Sequence, residues 1–244
     1  MIQSLIFFPE KNYFETPDDY GFVFEDIFLS TQDGARIHGW FLKTAALEKG
    51  LILFFHGNAG NISHRLFKVG PWLEAGWNIF LLDYRGYGQS QGAIKHENDL
   101  VSDAEAAWTW AEEKYKNIVL MGESLGTYPA IRLAGQHQAE ALILEAPFTS
   151  FVDLGKMHYS AVPGIEMMMK DFRFANIEMI GKVKTRALII HGTHDEICPY
   201  KMALELMKYA PEPKELLTIQ GGTHNDLPMS GAESYHKKIL EWCG

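Results

Sequence analysis

Apolar residues along this chain fall into short continuous runs. Leu51–Phe55, Ile79–Leu82, Ile118–Met121, Ala141–Leu144 and Ala187–Ile190 are such runs, and Leu216–Ile219 is a last, shorter one. A strand covered on both faces has no need of polar alternation, so these runs predict the buried strands of a parallel sheet. Helical stretches separate them: Asn61–Glu74, Asn98–Lys114, Leu125–Ala134, Tyr200–Tyr209 and Ala232–Trp242. In the second, Leu100, Val101, Ala104, Ala107, Trp108 and Ala111 share one helical face. Strand alternating with helix predicts an α/β fold, a mostly parallel central sheet with helices on both faces. The beginning of the chain differs. Phe24–Ser30 and Arg36–Lys43 flank Thr31-Gln32-Asp33-Gly34-Ala35, and aspartate followed by glycine between β-like runs signals an antiparallel hairpin. That hairpin is an addition at the sheet edge. No repeat, linker or low-complexity tract interrupts the pattern, so residues 1–244 are expected to form a single domain.

One interval breaks the rhythm. Residues 151–184 lie between two strands and are too many for a plain connection. The interval is rich in methionine and phenylalanine, which give a deformable apolar surface. It reads as either a helix packing on the sheet or a small lid insertion over a substrate. As lid, its candidate substrate contacts are Met157, Met168 and Phe172.

Composition narrows the function. The chain is 244 residues long, 47% hydrophobic and 22% charged, as ordinary globular proteins are. Its net charge of −9 argues against a nucleic-acid partner, which calls for basic patches. Cys198 and Cys243 form neither a disulfide framework nor a zinc motif. The histidines lack metal-ligand spacing, so neither metal nor organic cofactor is expected. No segment approaches the roughly 18 apolar residues of a membrane span. The apolar start, Met1–Pro9, reads as a packing arm, or as the stub of a removed anchor. These features favour a cytoplasmic protein acting on a small molecule.

The chemistry concentrates at Gly122-Glu123-Ser124-Leu125-Gly126, directly after a strand run and before a helical one. This is the strand–turn–helix setting of a nucleophile elbow, G-x-S-x-G. A serine hydroxyl there stands clear of the turn, and glycines on either side let neighbouring backbone approach. Such a serine needs a base, and the base needs an orienting acid. On this fold they follow in the order Ser, Asp or Glu, His. Asp195, beyond Ala187–Ile190, and His224, beyond the last strand, have that order; Glu196 and Glu145 are rival acids. Ends of parallel strands share one crevice, so the three can converge. The oxyanion hole requires two backbone donors. Leu125 N–H is one. The other comes from the small-residue loop His56–Asn61, with Asn58 N–H favoured and Ala59 next. His56 and His191 read as architectural, and His64 and His158 as structural. Glu123 reads as a strand-end contact, and Asp83 and Arg85 as loop braces.

Together, His56–Asn61, Asp83–Ser90, Gly122–Gly126, Glu145–Ser150 and Gly222–Asp226 resemble the Bem46-like branch of the α/β-hydrolases, from about Phe22 onward. That branch includes depalmitoylating thioesterases and bacterial esterases. The resemblance implies the α/β-hydrolase fold, a modest lid and a Ser-His-Asp triad, carried here by Ser124, His224 and Asp195. Many relatives begin with a membrane anchor that this sequence does not show. The expected activity is hydrolysis of carboxylic esters or thioesters through an acyl-enzyme. A peptidase or amidase on the same triad is the first alternative, and a non-catalytic binding protein the second.

Overall fold

The computed structural model describes residues 3–160, 164, 167 and 169–244. The strands are β1 (Phe8–Pro9), β2 (Val23–Ser30), β3 (Arg36–Lys43), β4 (Gly50–Phe55), β5 (Ala59–Gly60), β6 (Trp77–Asp83), β7 (Ile118–Glu123), β8 (Ala141–Glu145), β9 (Ala187–Gly192) and β10 (Lys214–Ile219). Eight of them form one sheet in the order β10-β9-β8-β7-β4-β6-β3-β2. The hairpin β2–β3 lies at one edge, with β3 antiparallel to β6. From β6 to β10 every pairing is parallel. This is the α/β-hydrolase architecture that the apolar runs and the hairpin signal predict.

The helices are α1 (Gln3–Ile6), α2 (Gly70–Glu74), α3 (Glu97–Glu112), α4 (Thr127–Gln136), α5 (Phe151–His158), α6 (Asn176–Met179), α7 (Lys201–Tyr209) and α8 (Leu227–Cys243). Period-two alternation sends strand side chains to opposite faces. Leu51, Leu53 and Phe55 therefore join Leu120, Leu142 and Ile189 under α3, α4 and α7. Ile52 and Phe54 join Val119, Met121, Leu188 and Ile190 under Trp72 of α2 and Tyr235 and Ile239 of α8.

Two helical expectations need correction. Asn61–Glu74 is not one helix but a 3-10 stretch, Ile62–Lys68, followed by the short α2. Asn61 caps the first piece, accepting from the Ser63 N–H, and Gly70-Pro71 divides the two. Pro71 has no N–H to offer a continuous helix, and it disfavours α geometry in the residue before it. The last helix starts at Leu227 rather than Ala232, and bends where Ala232 takes φ 45°.

The described part of 151–184 packs inward. Phe151 and Phe174 lie 4.6 Å apart edge-on, and Phe174 meets Tyr128 of α4 at 5.0 Å. Asn176 Nδ2 donates to Thr127 Oγ1 and to Phe148 O, both at 3.0 Å. This segment is thus fastened to the start of α4, the helix that follows Ser124.

Candidate active site

Strand order reverses around β4, whose neighbours β6 and β7 both come later in the chain. Ligands of open α/β sheets bind outside the strand ends at such a point. The loop after β4 and the turn after β7 meet there, and the G-x-S-x-G spacing has a steric cause. A Cβ on Gly126 would lie 2.0 Å from Phe55 O, and one on Gly122 would lie 2.4 Å from Gly126 O. Only glycine lets the end of β4 and the turn come this close. Between them Ser124 takes φ 50°, the left-handed region that a side chain normally avoids. The 3-10 turn Ser124–Gly126 then leads into α4.

His224 Nε2 lies 3.0 Å from Ser124 Oγ, and His224 Nδ1 lies 2.8 Å from Asp195 Oδ2. With its proton on Nδ1 the imidazole donates to the carboxylate and turns the Nε2 lone pair toward the hydroxyl. Asp195 is buried and fully engaged. Its Oδ1 accepts from the N–H groups of Ile197 at 2.9 Å and Cys198 at 2.7 Å. Its Oδ2 also has His191 Nε2 at 3.2 Å. Burial works against this carboxylate, but the hydrogen bonds from His191, His224 and the Cys198 N–H outweigh it and hold the pKa well below the ordinary range. Burial drives the neighbouring Cys198 thiol well above its usual pKa, so it stays protonated beside the serine. Glu196 is exposed, leaving Asp195 as the acid of this loop that reaches His224.

His191, architectural by its place at a strand end, reaches the same carboxylate oxygen as His224. Its Nε2 also donates to Cys198 O at 2.6 Å. The available signal was the spacing His191-Gly-Thr-His-Asp195, which folds a strand-end histidine back onto an aspartate four residues on.

The loop after β4 is held from three sides. Gly57 abuts the serine, since a Cβ there would stand 3.5 Å from Ser124 Cβ and 2.7 Å from Glu123 Oε1. Tyr87 Oη donates to Asn58 O at 2.8 Å, with Asn58 Oδ1 at 3.0 Å. Asn58 Nδ2 donates to Ile6 O at 2.5 Å, and Arg65 Nη1 donates to Ala59 O at 2.9 Å. The N-terminal arm follows the same loop: Phe8 pairs with Ala59 and Pro9 with Gly60.

An ion cluster lies under the elbow. Glu123 receives Arg65 Nη2 at 2.8 Å and Lys68 Nζ at 2.6 Å. Lys68 also meets Glu145 Oε2 at 2.9 Å, and Tyr235 Oη donates to that oxygen at 2.7 Å. Burial opposes the Glu123 charge, but Arg65 and Lys68 overcome it and hold its pKa far below normal. Glu145 is thus committed to Lys68 and Tyr235 rather than to His224, and Glu123 is a strand-end contact. Asp83 and Arg85 brace loops: Asp83 accepts from Ile62 N–H and Tyr13 Oη, and Arg85 spans Asp33, Asp99 and Asp103.

Of the lid candidates, Met157 lies on a groove between α5 and α7, with Ile177, Lys201 and Met202. Phe172 is buried against Phe7 and Phe174. Its ring therefore serves the packing of that segment and offers little open surface. Met168 lies outside the described residues. Among the described residues no group of three or more His, Cys, Asp or Glu could hold a metal ion, and no helix is long and apolar enough to cross a membrane.

Residues 47–176 match the family described as serine aminopeptidase, S33. The chain is 34% identical over 206 residues to the human alpha/beta hydrolase domain-containing protein 17B, covering 82% of this chain and 69% of that one. An uncharacterised protein of Mycobacterium tuberculosis is also 34% identical, over 229 residues, 92% of this chain and 80% of that one. Among solved structures, the Pyrococcus furiosus esterase Pf2001 superposes with a TM-score of 0.80, over 97% of this chain and 96% of that one, at 19% identity. Est1E of Butyrivibrio proteoclasticus, with ferulic acid bound, reaches 0.73 over 88% of this chain and 98% of that one, at 18% identity.

Proposed function

The chain belongs to the α/β-hydrolase superfamily and is a hydrolase by family, and from this we propose that it is a serine hydrolase cleaving carboxylic esters or thioesters. The observation that carries the proposal is the imidazole of His224 bridging Ser124 Oγ at 3.0 Å and Asp195 Oδ2 at 2.8 Å. These are the lengths at which proton transfer and orientation both operate. Ser124 Oγ attacks the acyl carbon while His224 Nε2 takes its proton. Leu125 and Asn58 N–H groups, with Ala59 the alternative to Asn58, hold the oxyanion. Collapse breaks the bond to the leaving group, which takes the proton from His224. Water, deprotonated by the same nitrogen, then releases the acid and restores the serine. Asp195, ionised across the working range, keeps the imidazole in the tautomer that both halves need.

A second reading has its own support. The matching family is described as serine aminopeptidase, and an amide bond could be cut by the same groups. The leaving amine is poorer, so the demand on His224 as acid is greater. A panel of matched butyryl ester, thioester and anilide substrates separates the readings. The ester and thioester are expected to turn over at least 100-fold faster than the anilide. Ser124→Ala should remove nearly all activity and all labelling by a fluorophosphonate. Undiminished turnover in that variant would sink the assignment.

A further inference from the structure

Two buried hydrogen bonds in series end on the carbonyl of Ser124. Asn176 Nδ2, at the start of α6, donates to Thr127 Oγ1 at 3.0 Å, and Thr127 Oγ1 donates to Ser124 O at 2.6 Å. Asn176 and Thr127 are both fully buried. Ser124 O belongs to the same peptide unit as the Leu125 N–H. We propose that Asn176 and Thr127 are positioning residues for the oxyanion hole, orienting and polarising the peptide whose N–H meets the developing charge. The inference rests on reading Ser124 as nucleophile and Leu125 N–H as an oxyanion donor.

The direction of these bonds is fixed by their partners. Asn176 Nδ2 also lies 3.0 Å from Phe148 O, a carbonyl that can only accept. The amide must therefore present its NH₂ group to both Phe148 and Thr127. The Thr127 oxygen receives one of those protons, and its own proton goes to Ser124 O, a second carbonyl. A trans peptide is planar, with its C=O and N–H pointing opposite ways. A donor held on Ser124 O thus fixes the plane in which the Leu125 N–H lies. It also draws electron density toward the oxygen and makes the N–H a stronger donor, because bonds in a chain polarise one another. From Asn176 through Thr127 to Leu125, every donor points the same way, toward the proposed oxyanion.

A threonine hydroxyl early in a helix commonly bonds back to a carbonyl three or four residues before it, so the Thr127 bond alone would mean little. Asn176 is different. It comes from 49 residues further along the chain. Its Oδ1 is buried with no partner among the described residues. An unsatisfied buried acceptor is costly, and an apolar side chain in that place would avoid the cost. What the amide supplies, and an apolar side chain cannot, is the pair of donors. Asn176 is also tightly placed. Its N–H donates to Phe174 O at 2.9 Å, and the Ile177 N–H donates to Thr149 O at 3.0 Å. Phe174, at φ 41°, gives its own N–H to Glu97 Oε2 at 2.8 Å. The segment 151–184 thereby reaches the peptide that follows the nucleophile.

Thr127→Val removes the hydroxyl and keeps the shape. The Thr127 N–H also reaches Ser124 O, so the carbonyl keeps one partner in this variant. The loss should then fall below that of a deleted oxyanion donor, at about tenfold in kcat on p-nitrophenyl butyrate with KM little changed. A trifluoromethyl ketone inhibitor should weaken in proportion to kcat/KM. Thr127→Ser, which keeps the hydroxyl, should bring kcat back near the parental value. Asn176→Ala should lower kcat about threefold in the parent and not at all in Thr127→Val, since it acts through the hydroxyl. All rates are taken per active site titrated to completion with a fluorophosphonate, so poor folding does not count as poor catalysis. Parental kcat per site in Thr127→Val overturns the proposal, as does a loss that Thr127→Ser shares or one that leaves the ketone bound as tightly as before. An Asn176→Ala variant with parental kcat, or with the same loss in both backgrounds, overturns the role of Asn176. Failure of the hydrolase reading itself looks different: p-nitrophenyl butyrate is then inert, or its turnover survives Ser124→Ala.

Discussion

Ser124 occupies a backbone conformation, φ 50°, that costs on the order of 1–2 kcal/mol for a residue with a side chain. The strain is held by contacts that have little freedom: Gly126 against Phe55 O, Gly122 against Gly126 O, and Glu123 locked by two cations. On the other side of the histidine, Asp195 is held equally firmly, and His191 is the least expected of its partners. Two backbone donors hold Oδ1, and among the described residues His191 Nε2, at 3.2 Å, is the partner beside His224 that holds Oδ2. Small misplacements of catalytic groups are expensive, about 100-fold for roughly 1 Å. His191→Ala is therefore expected to lower kcat on the order of tenfold with KM little changed. Active sites counted by fluorophosphonate titration distinguish this from misfolding. If kcat per titrated site equals that of the parent, His191 serves only the fold.

At the scale of elements, the N-terminal arm and the loop after β4 behave as one unit. Asn61 Nδ2 donates to Glu10 O at 3.1 Å and Asn12 O at 2.8 Å, Glu10 N–H donates to Gly60 O at 3.0 Å, and Phe7 packs on Phe172 at 5.4 Å. The arm thereby joins the proposed oxyanion loop to the segment 151–184. Asn58 is the clamp, since its amide spans Ile6 O and the Tyr87 hydroxyl, and its own N–H is the proposed oxyanion donor. Losing an oxyanion donor outright costs 10²–10³ in kcat, so loosening one should cost less. Asn58→Ala and Tyr87→Phe are each expected to reduce kcat about tenfold. Both should weaken a trifluoromethyl ketone inhibitor in proportion to the loss in kcat/KM. Weakened substrate binding with unchanged kcat would show that the clamp acts elsewhere.

Strand identity was legible in the sequence because a doubly covered strand must be continuously apolar, and Leu51–Phe55 or Ala187–Ile190 had no other use for such a run. The serine, the acid and the histidine were legible for a related reason. Each stands at a strand end, and chain order alone brings those ends together. Residues 62–74 were not legible as two pieces. Their composition is helical, and what divides them is Gly70-Pro71 together with the pull of Arg65 and Lys68 toward Glu123, a contact 58 and 55 residues away. Lys68 in particular reads as a surface residue until Glu123 and Glu145, from two other strands, close around it. The apolar arm suits packing or an anchor stub alike, and no local pattern in Phe7–Glu10 reveals that it pairs with Ala59 and Gly60.

For the molecule as a whole, buried titratable groups set the response to acid, and two of them oppose each other. His56 is fully buried; burial first, and then the charge of Arg65, lower its pKa to about 4. In the unfolded chain it takes a proton near 6.5, so its contribution to stability is lost as pH falls from about 6.5 to 4. That loss is roughly 3 kcal/mol at 1.36 kcal/mol per unit. Asp103 works the other way. Burial raises it to about 6 despite its bonds from Arg85, and in the unfolded chain it ionises near 4. The folded state therefore gains a proton first, and stability rises by roughly 3 kcal/mol as pH falls through the same window. The two nearly cancel, so stability is expected to be flat from pH 6.5 to about 4. Below that, Asp195, Glu123 and Asp33, all held below the ordinary carboxylate range by their partners, lose their stabilising charge together and the protein unfolds steeply. Guanidinium midpoints measured against pH at constant ionic strength check the plateau. Asp103→Asn removes one side of the balance and keeps one acceptor oxygen for the Arg85 guanidinium, while the Arg85 backbone N–H loses Oδ2 as its acceptor at every pH. In that variant the plateau should become a slope, with stability falling by roughly 3 kcal/mol between pH 6.5 and 4 as His56 acts alone. A variant whose curve stays flat over that range would show that His56 is not kept neutral by its burial.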